Sequence, residues 1–547
     1  MSNEKMNAEV ISVFPNKVRI LIDDLTAFQI AEEKLKVGSY LRIADSEDAI
    51  LMAVIETFTI EVTDKAERKY IIEANPLGLI RDGKFERGGD TIAIPPKSVE
   101  PAKAEDVNKI FEDSLTANEK FVFSKLSTNH SIQIPVNGNK FFNKHISIVG
   151  STGSGKSHTV AKILQKAIKA KEDEYTGLNN SHIIIFDIHS EYRTAFPNAN
   201  YIDVANLVLP YWLLNSEELQ ELFLDTEAND HNQRNVFKEA VIEEKKVLAD
   251  GLDINKEKIH FDSPIKFDIH NVLKRAKDKN EEMVEGSGGK PKQGSLHGKL
   301  TNFISRLENR LNDSRLNFLI SEETKKVSFE EVILTLLGYK TDNESNVTVL
   351  DLSGVPFEVL SITVSLISRL MFDYGYYYKQ TRLEINPEEK CNNDIPLLLV
   401  YEEAHKYVPN SDLVKYRASR QSIERIAKEG RKYGVSLMLA SQRPSEISET
   451  IFSQCSNFIA LRLTNPNDQS YVKRLLPDSL GSLVDKMPAL RAGEALLIGE
   501  SVVLPSVVQI DRCSPEPSSN DIPYYELWKK EWKNLDILGI KQKWENN

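Results

Sequence analysis

Eight consecutive residues give the strongest signal in the sequence: Gly150-Ser151-Thr152-Gly153-Ser154-Gly155-Lys156-Ser157. They match the pattern G-x-x-x-x-G-K-[ST], whose backbone N–H groups cradle phosphates. An apolar run at 145–149 predicts a buried strand before the pattern, and an apolar stripe in 156–169 predicts a helix after it. This order turns the N-terminus of a helix towards the bound anion. The sequence therefore predicts a phosphate-binding loop at 150–157.

Each fixed position in this loop has a physical task. The glycines let the backbone approach phosphate oxygens without a Cβ clash. Lys156 supplies a mobile cation for the β- and γ-phosphates, and Ser157 offers a hydroxyl to Mg²⁺. We therefore predict ATP and Mg²⁺ as cofactors, bound by the loop residues and the adjacent His158. The alternative, a glycine-rich turn without function, is disfavoured because the pattern lies between a predicted strand and a predicted helix.

Apolar runs typical of buried strands recur downstream of the loop, and helical segments separate most of them. The predicted strands are 183–186, 347–352, 397–400, 435–440 and 458–463. Strands that alternate with helices and are apolar on both faces indicate a parallel sheet covered on both sides. The predicted fold class is therefore α/β, with a mostly parallel sheet as the core.

The sequence divides into three parts. Residues 1–100 carry short β-like runs between turn signals, which indicates a small barrel or sandwich. Residues 101–515 carry the α/β core, interrupted at about 212–340 by a helical insertion. Inside the insertion, the polar segment 277–295 is interpreted as a mobile loop or a linker. The third part is the tail, 516–547.

The tail is predicted to end in a helix that follows Pro523. Trp528, Trp532 and Leu535 are spaced at i, i+4 and i+7, so one helix would place them on one face. This face either packs on the chain's own core or docks on a neighbouring subunit. Both alternatives are open at the level of the sequence.

Composition limits the class of protein. The 547 residues are 41% hydrophobic and 27% charged, which excludes a wholly disordered, collagen-like or disulfide-scaffold chain. The three cysteines form no CxxC pair, and we see neither an apolar N-terminal segment nor an uncharged apolar run of about 18 residues. We therefore expect a cytoplasmic protein without a membrane span. A net charge of −12 argues against a surface that is basic throughout.

Two acidic residues follow the predicted strand 397–400, in the sequence Tyr401-Glu402-Glu403-Ala404-His405. A phosphate loop requires a carboxylate near Mg²⁺ and a group that activates water. We assign Glu402 to Mg²⁺ through its bound water, and Glu403 to the orientation or deprotonation of the attacking water. A solvated acidic turn is the alternative. His405 is more often structural than catalytic at such a position.

Three segments together resemble the HerA branch of the HerA/FtsK translocase superfamily. They are Phe186-Asp187-Ile188-His189-Ser190-Glu191-Tyr192, Glu402-Glu403-Ala404-His405, and Glu424 to Gly434 running into Ala440-Ser441-Gln442-Arg443-Pro444. The first is similar to the family's D-P-H-G-E-Y, with Ile188 in place of Pro and Ser190 in place of Gly, so we expect a differently shaped turn. The resemblance covers nearly the whole chain, least in the helical insertion and the tail.

The resemblance implies a RecA-like P-loop ATPase core in a hexameric ring that hydrolyses ATP and moves along double-stranded DNA. It also implies an N-terminal small β-barrel of the HAS-barrel type. The implied partner is a separate effector in DNA end processing or anti-phage defence: a nuclease, such as a NurA-like or DUF4297-like protein, or a Sir2-like NAD-consuming enzyme. A second hypothesis keeps every active-site residue but makes the ring a nucleotide-gated scaffold that regulates a toxic effector without processive movement. A third is a P-loop hydrolase acting on protein or RNA.

A ring that hydrolyses ATP at its subunit borders requires a cation delivered from the neighbouring subunit. We assign this role to Arg431, which follows Gly430 at a predicted helix end. Gln442 follows the strand 435–440 and is assigned a contact to the γ-phosphate. The alternatives are a surface arginine at a helix C-terminus and a capping glutamine. Lys144 is a further basic candidate for reaching a neighbour's nucleotide.

The remaining candidates concern Mg²⁺ and DNA. Asp187 and Glu191 are candidates to support Mg²⁺ or water, unless Asp187 forms only a structural turn. Residues 412–443 hold eight Lys or Arg residues against three acids, in contrast to the acidic chain as a whole. Three of these, Lys415, Arg417 and Arg420, are predicted to contact DNA phosphates. A solvated charged surface is the alternative.

Overall fold

The computed structural model describes most of the chain. The described residues are 8–14, 17–22, 35–44, 49–62, 68–88, 98–112, 114–172, 174–224, 231–250, 253–285, 289–339, 344–388, 393–411, 417–475, 481–519 and 522–545. The chain forms two compact units. The first contains residues 1–176, 440–445 and 453–514, and the second contains 177–439, 446–452 and 515–547.

The strands and helices are numbered in chain order. The strands are β1 Ala8–Val13, β2 Val18–Ile22, β3 Tyr40–Ala44, β4 Ala49–Val62, β5 Arg68–Arg81, β6 Lys84–Arg87, β7 Val99–Pro101, β8 Lys120–Leu126, β9 Gln133–Asn137, β10 Ile146–Val149, β11 His182–Asp187, β12 Asn200–Ile202, β13 Met283–Glu285, β14 Pro291–Gln293, β15 Val347–Asp351, β16 Leu397–Tyr401, β17 Val435–Ser441, β18 Asn457–Ala460, β19 Glu494–Gly499 and β20 Ser506–Ile510. The helices are α1 Ala104–Phe111, α2 Gly138–Asn143, α3 Lys156–Ala167, α4 Ser216–Phe223, α5 His231–Leu248, α6 Ile269–Glu281, α7 Thr301–Leu311, α8 Asn317–Ile320, α9 Glu322–Lys326, α10 Phe329–Leu336, α11 Phe357–Ile385, α12 Arg417–Glu429, α13 Glu449–Phe452, α14 Pro466–Leu475, α15 Gly481–Val484, α16 Tyr524–Trp528 and α17 Ile537–Glu545.

The N-terminal part of the first unit is an antiparallel sheet with strand order β1-β2-β5-β4-β3-β7, in which β6 pairs with β5. A bridge between Glu9 and Ser98 joins the two edges of this order, so the sheet is rolled. Alternate side chains of its strands point inward, as the period of a β-strand requires. Their apolar core includes Val18, Ile20 and Leu41, each fully buried.

The rest of the first unit is built around the strand that precedes the predicted phosphate loop. Strands β10, β18, β19, β20, β8 and β9 follow one another in this order. The pair β10–β18 is parallel and the later pairs are antiparallel. Every residue of β10 is buried, which agrees with the predicted buried strand.

The second unit contains five parallel strands in the order β12-β15-β11-β16-β17. All residues of β11, β15 and β16 are buried. Strands buried on both faces explain the continuous apolar runs in the sequence. The α/β prediction is confirmed at this level, and the predicted strands 183–186, 347–352, 397–400 and 435–440 are all present.

A long helix and a basic helix pack on each other in the second unit. Helix α11 has 29 residues, and it is buried on all sides in its N-terminal half, where every residue from 359 to 368 is buried. Small hydroxyl side chains lie where α12 crosses it: Ser361 Oγ is 3.0 Å from Ser419 Oγ, and Ser365 Oγ is 2.7 Å from Ser422 Oγ. Serines allow close approach of two helices, and Arg425 of α12 also contacts α11, because its guanidinium carbon lies 4.2 Å from the centroid of the Phe372 ring.

The insertion at about 212–340 contains helices α4 to α10. The interpretation of 277–295 as a mobile loop is wrong for most of the segment. Helix α6 continues to Glu281, and β13 pairs with β14 in a two-stranded antiparallel hairpin. The helix extends because Asn280 accepts a hydrogen bond from the backbone N–H of Leu300 at 2.8 Å, which attaches its end to the start of α7.

The tail differs from its prediction. One helix was expected to carry Trp528, Trp532 and Leu535, but α16 ends at Trp528 and α17 begins at Ile537. These three side chains are 75%, 99% and 77% exposed, so they do not pack on the chain's own described core. We call the described residues of 515–545 the C-terminal arm. Its root is attached to the second unit, because Ser518 N–H donates to Glu191 O at 2.8 Å and Thr194 Oγ1 donates to Glu516 O at 2.8 Å.

The described helices were compared with the length and hydropathy of a membrane span. None of them is both long and apolar enough to cross a bilayer.

Candidate active site

The predicted phosphate loop connects β10 to α3 and has the backbone conformation of an anion cradle. Gly153 and Gly155 have φ angles of 71° and 101°, which non-glycine residues rarely adopt. At Gly150 the limit is space, because an added Cβ would lie 2.5 Å from Ser154 Oγ and 2.8 Å from Leu461 Cβ. Glycine is therefore required at all three positions for different local reasons.

Neighbouring strand ends hold this loop in place. Gly150 N–H donates to Ser441 O at 3.2 Å, and Ser151 N–H donates to Arg462 O at 2.8 Å. On the far side, Gly493 N–H donates to Ser154 O at 3.0 Å. These bonds occupy the outward-facing groups of the loop and fix its shape before any ligand binds.

The side chains of the loop suit a polyphosphate. Lys156 and Ser157 begin α3 and are only 8% and 9% exposed. Ser154 Oγ is buried and has no hydrogen-bond partner among the described residues. His158 follows, half-buried, in the first turn of α3. Phosphate oxygens need hydrogen-bond donors and positive charge, and this loop offers both. It combines a glycine cradle with a lysine and a serine at a helix N-terminus and with a buried hydroxyl that has no partner among the described residues.

Gln442 lies beside this loop. It follows β17, and its side-chain carbonyl accepts a hydrogen bond from Thr152 Oγ1 at 2.7 Å. The next residue, Arg443, donates its backbone N–H to Ser441 Oγ at 3.0 Å, which shapes the turn that carries Gln442. The side-chain amide therefore lies against the same loop that the sequence assigns to phosphates.

The second unit carries the acidic pair at the end of β16. Glu402 and Glu403 are 2% and 5% exposed, so the alternative of a solvated acidic turn is wrong. Glu403 has a φ angle of 49°, a left-handed conformation that a glutamate adopts only at a cost. Its Oε2 lies 3.2 Å from Nδ1 of His405, which is also buried. A strained, buried carboxylate with an imidazole partner is typical of a functional position.

Asp187 ends β11 and organises the turn that follows. Its carboxylate accepts backbone N–H groups from His189 at 3.1 Å and from Tyr192 at 2.9 Å. Burial raises the pKa of Asp187, and these N–H donors partly oppose the rise. The structural-turn alternative therefore describes its geometry. The assignment of Asp187 and Glu191 to Mg²⁺ or water stays a prediction.

Ser190 shows how the turn accommodates a serine where the related motif has glycine. Its φ angle is 56°. Its hydroxyl donates to Asp351 Oδ2 at 2.5 Å and lies 3.1 Å from Ser353 Oγ. Because the end of β15 and the residues after it supply these partners next to β11, the side chain compensates for the cost of the left-handed backbone.

Tyr192 was not singled out in the sequence beyond its place in the motif. It is fully buried, and its hydroxyl donates to Glu402 Oε2 at 2.7 Å. Burial first and the Glu402 carboxylate second hold the pKa of Tyr192 well above its usual range, so the phenol remains a donor. The sequence signal for this residue was its place at the end of the 186–192 motif. That signal did not reveal its partner, because Glu402 is 210 positions away in the chain.

The basic candidates are placed differently from one another. Arg431 is exposed in the turn after α12, and no described residue forms an ion pair or hydrogen bond with its side chain. Arg417 is exposed at the start of α12, whereas Arg420 Nε donates to Glu424 Oε1 at 2.9 Å. Lys144 forms an ion pair with Glu500 of its own chain. Lys415 lies outside the described residues. The trans and DNA-binding roles of these residues stay predictions.

Known proteins with similar sequences point in one direction. The family model described as "Helicase HerA, central domain" matches residues 121–371. A probable helicase of Methanocaldococcus jannaschii is 26% identical, covering 99% of this chain and 98% of the relative. The DNA double-strand break repair helicase HerA of Sulfolobus acidocaldarius is 26% identical, covering 93% and 95%. Among solved structures, VirB4 of Thermoanaerobacter pseudethanolicus aligns with a TM-score of 0.46 and 14% identity over 75% of this chain and 99% of that one.

Proposed function

The chain belongs to the HerA-type ATPases, and from this premise we propose that it is a ring-forming motor that hydrolyses ATP to move along double-stranded DNA. The observation that carries the proposal is the phosphate loop, whose three glycines, buried Lys156 and buried Ser157 form a rigid cradle at a helix N-terminus. The relatives are named DNA double-strand break repair helicases, which supports duplex DNA as the track.

ATP with Mg²⁺ is the cofactor of this site. The backbone of 150–157 and Lys156 hold the phosphates, and Ser157 is the hydroxyl available to the metal ion. When bound, the metal ion neutralises charge on the phosphate oxygens. Gln442 is proposed to contact the terminal phosphate, and its hydrogen bond with Thr152 of the same loop supports this assignment. Neighbouring bonds hold the loop backbone and Gln442 before a ligand arrives, which reduces the cost of reorganisation during the reaction.

The acidic pair supplies the remaining chemistry. Glu403 is the general base or water-orienting group, and its bond to His405 sets the direction of its carboxylate. Glu402 is assigned to the waters of the metal ion rather than to the metal itself, because the longer glutamate side chain reaches an outer position. Tyr192 holds one of its oxygens.

Arg431 is assigned to the neighbouring subunit's nucleotide. An arginine with no partner in its own described chain is available to a second copy, and an arginine supplied in trans stabilises charge on the transferred phosphoryl group. We propose a closed ring, and six subunits is the number that the family suggests. Lys144 is a poorer candidate for a trans contact because Glu500 already neutralises it.

The C-terminal arm supports assembly. Eleven large apolar residues between Ile522 and Trp544 are exposed in the isolated chain. Exposed apolar area of this density indicates an interaction site. Because the root of the arm is attached to its own subunit, we propose that the part beyond it docks on the next subunit of the ring.

Two further regions, the start of α12 and the rolled N-terminal sheet, are proposed to contact DNA and an effector. Arg417 at the start of α12 is the described candidate for phosphate contact, and contact through phosphates makes binding independent of sequence and sensitive to salt. The rolled N-terminal sheet is proposed to be the HAS-barrel-type docking module for an effector, which would be a nuclease or an NAD-consuming enzyme. An anti-phage or end-processing role would then come from that partner.

The site assignment is tested by Lys156→Ala, with Lys166→Ala as its control. Both lysines lie on α3, but Lys166 is exposed and ten positions further along. Lys156→Ala is expected to lose ATP binding and hydrolysis, and Lys166→Ala to keep both. Normal ATP turnover in Lys156→Ala would contradict the assignment of ATP hydrolysis to the phosphate loop.

A further inference from the structure

The carboxylate of Glu402 is held from a different strand of the sheet. Its backbone N–H donates to Phe186 O at 3.2 Å, and its Oε2 accepts the Tyr192 hydroxyl at 2.7 Å. Both donor and acceptor are buried, and Tyr192 is 0% exposed. A hydrogen bond to a charged group in a water-free place is stronger and more directional than one at the surface.

The turn that carries Tyr192 is fixed along its length. Asp187 accepts the Tyr192 backbone N–H, and Ser190 is bonded to Asp351. On either side of Tyr192, the backbone carbonyl of Glu191 accepts from, and the hydroxyl of Thr194 donates to, the root of the C-terminal arm. A side chain on a turn with supports on both sides of it has few alternative positions, so it can hold its partner within the narrow range that catalysis requires.

The side chain of Tyr192 is fully buried, and its hydroxyl donates to the Glu402 carboxylate. Strands β11 and β16, which precede these two residues, are paired in parallel, and Phe186 of β11 stacks on Tyr401 of β16 with ring centroids 4.6 Å apart. From these contacts we propose that Tyr192 is the positioning residue for Glu402, fixing the carboxylate orientation that the nucleotide-bound state uses. The inference rests on the proposed function, because it assumes that Glu402 serves the bound metal ion.

The test is Tyr192→Phe, which keeps the buried ring and removes only the donor. We expect kcat for ATP hydrolysis to fall about tenfold, with KM within about twofold of the parent, because a lost hydrogen bond to a charged group has roughly this effect on rate. A second readout does not use turnover. The gain in affinity that Mg²⁺ gives to a non-hydrolysable fluorescent ATP analogue should shrink, while the affinity measured in EDTA should not change.

Tyr401→Phe is the matched control. Tyr401 is equally buried and also loses a hydroxyl bond, to Ser368 Oγ at 2.7 Å, but that bond does not involve a carboxylate. We expect its kcat and its Mg²⁺-dependent affinity to match the parent protein. Equal losses in both variants would show that any buried hydroxyl at this place matters and would overturn the positioning role.

A double-mutant cycle separates this inference from the proposed function. If Tyr192 acts through Glu402, then Tyr192→Phe should have no further effect in a Glu402→Gln background. Losses that multiply would overturn the inference and leave the motor intact. If Glu402→Gln itself has normal turnover, the assignment of Glu402 fails, and the inference fails with it. Thermal unfolding of each variant identifies loss of folding as a separate cause.

Discussion

Thr152 Oγ1 in the phosphate loop donates a hydrogen bond to the side-chain carbonyl of Gln442 at 2.7 Å. The two residues are 290 positions apart in the chain. Thr152 lies within the predicted phosphate loop, and Gln442 directly follows β17. The bond connects the proposed phosphate loop to the residue that we propose contacts the terminal phosphate.

Gln442→Ala removes the acceptor for the Thr152 hydroxyl and the amide that we propose contacts the phosphate. We expect ATP affinity to change by less than about threefold and turnover to fall tenfold or more, because a contact used mainly in the transition state affects kcat. Binding and steady-state kinetics measure the two separately. A tenfold or greater loss of ATP affinity with unchanged kcat would instead assign Gln442 to ground-state binding.

Arg431→Ala should reduce turnover on the order of a thousandfold, the magnitude associated with an arginine supplied in trans. The adjacent exposed Lys432→Ala, in the same turn, is the control and should have little effect. Mixing provides the sharper measurement. Arg431→Ala and Glu403→Gln proteins, each inactive alone, should regain partial activity together, since some mixed interfaces contain both intact residues. No recovery in assembled mixtures would count against the trans assignment.

Trp532→Glu tests the C-terminal arm. The side chain is 99% exposed, so the substitution should not change the unfolding temperature of a single subunit. If the arm docks on the next subunit, the oligomer mass measured by light scattering at micromolar concentration should fall. Asn534→Glu introduces the same charge at a polar exposed position two residues away and is the control. An unchanged oligomer in Trp532→Glu would contradict arm docking at this residue.

Glu221 should make stability depend on pH near neutrality. Burial raises its pKa to about 7, and hydrogen bonding from the backbone of Ala418 at the start of α12 partly opposes the rise. A carboxyl whose pKa is higher in the folded state makes the protein less stable as pH rises from about 4.5 to about 7, and the loss levels off above the folded-state pKa. Glu221→Gln should therefore be more stable than the parent by ~1–2 kcal/mol at pH 8 and similar to it near pH 4.5. Unfolding curves at several pH values check the slope.

Local patterns predicted the parts of the site that depend on local backbone. The glycines at 150, 153 and 155 and the strand before them are readable because the cradle is built from consecutive residues. The acidic pair was readable for the same reason, since it directly follows an apolar strand. In each case the residues that form the sequence pattern also form the local structure, so one short segment is enough to predict it.

Contacts between distant segments were not predicted. The bond from Tyr192 to Glu402 requires knowing that β11 lies beside β16, which periodicity does not reveal. The left-handed Ser190 depends on Asp351 in another strand. In the tail, the i, i+4, i+7 spacing suggested one helix, but Asp536 accepts the Gly539 N–H at 2.9 Å and starts a new helix there. A cap of this kind competes with helix continuation and separates Trp528 from Leu535.

The proposed motor couples ATP hydrolysis to duplex DNA, and the ATPase rate with and without linear duplex DNA is the most direct measure of this coupling. The rate should be compared at low and moderate salt, with Lys156→Ala as the inactive control that defines the background rate. Duplex DNA is expected to stimulate the ATPase rate several-fold or more, and the stimulation should weaken as salt screens phosphate contacts. A protein that hydrolyses ATP at the same rate with and without duplex, and does not bind it, would contradict the motor and favour a nucleotide-gated scaffold.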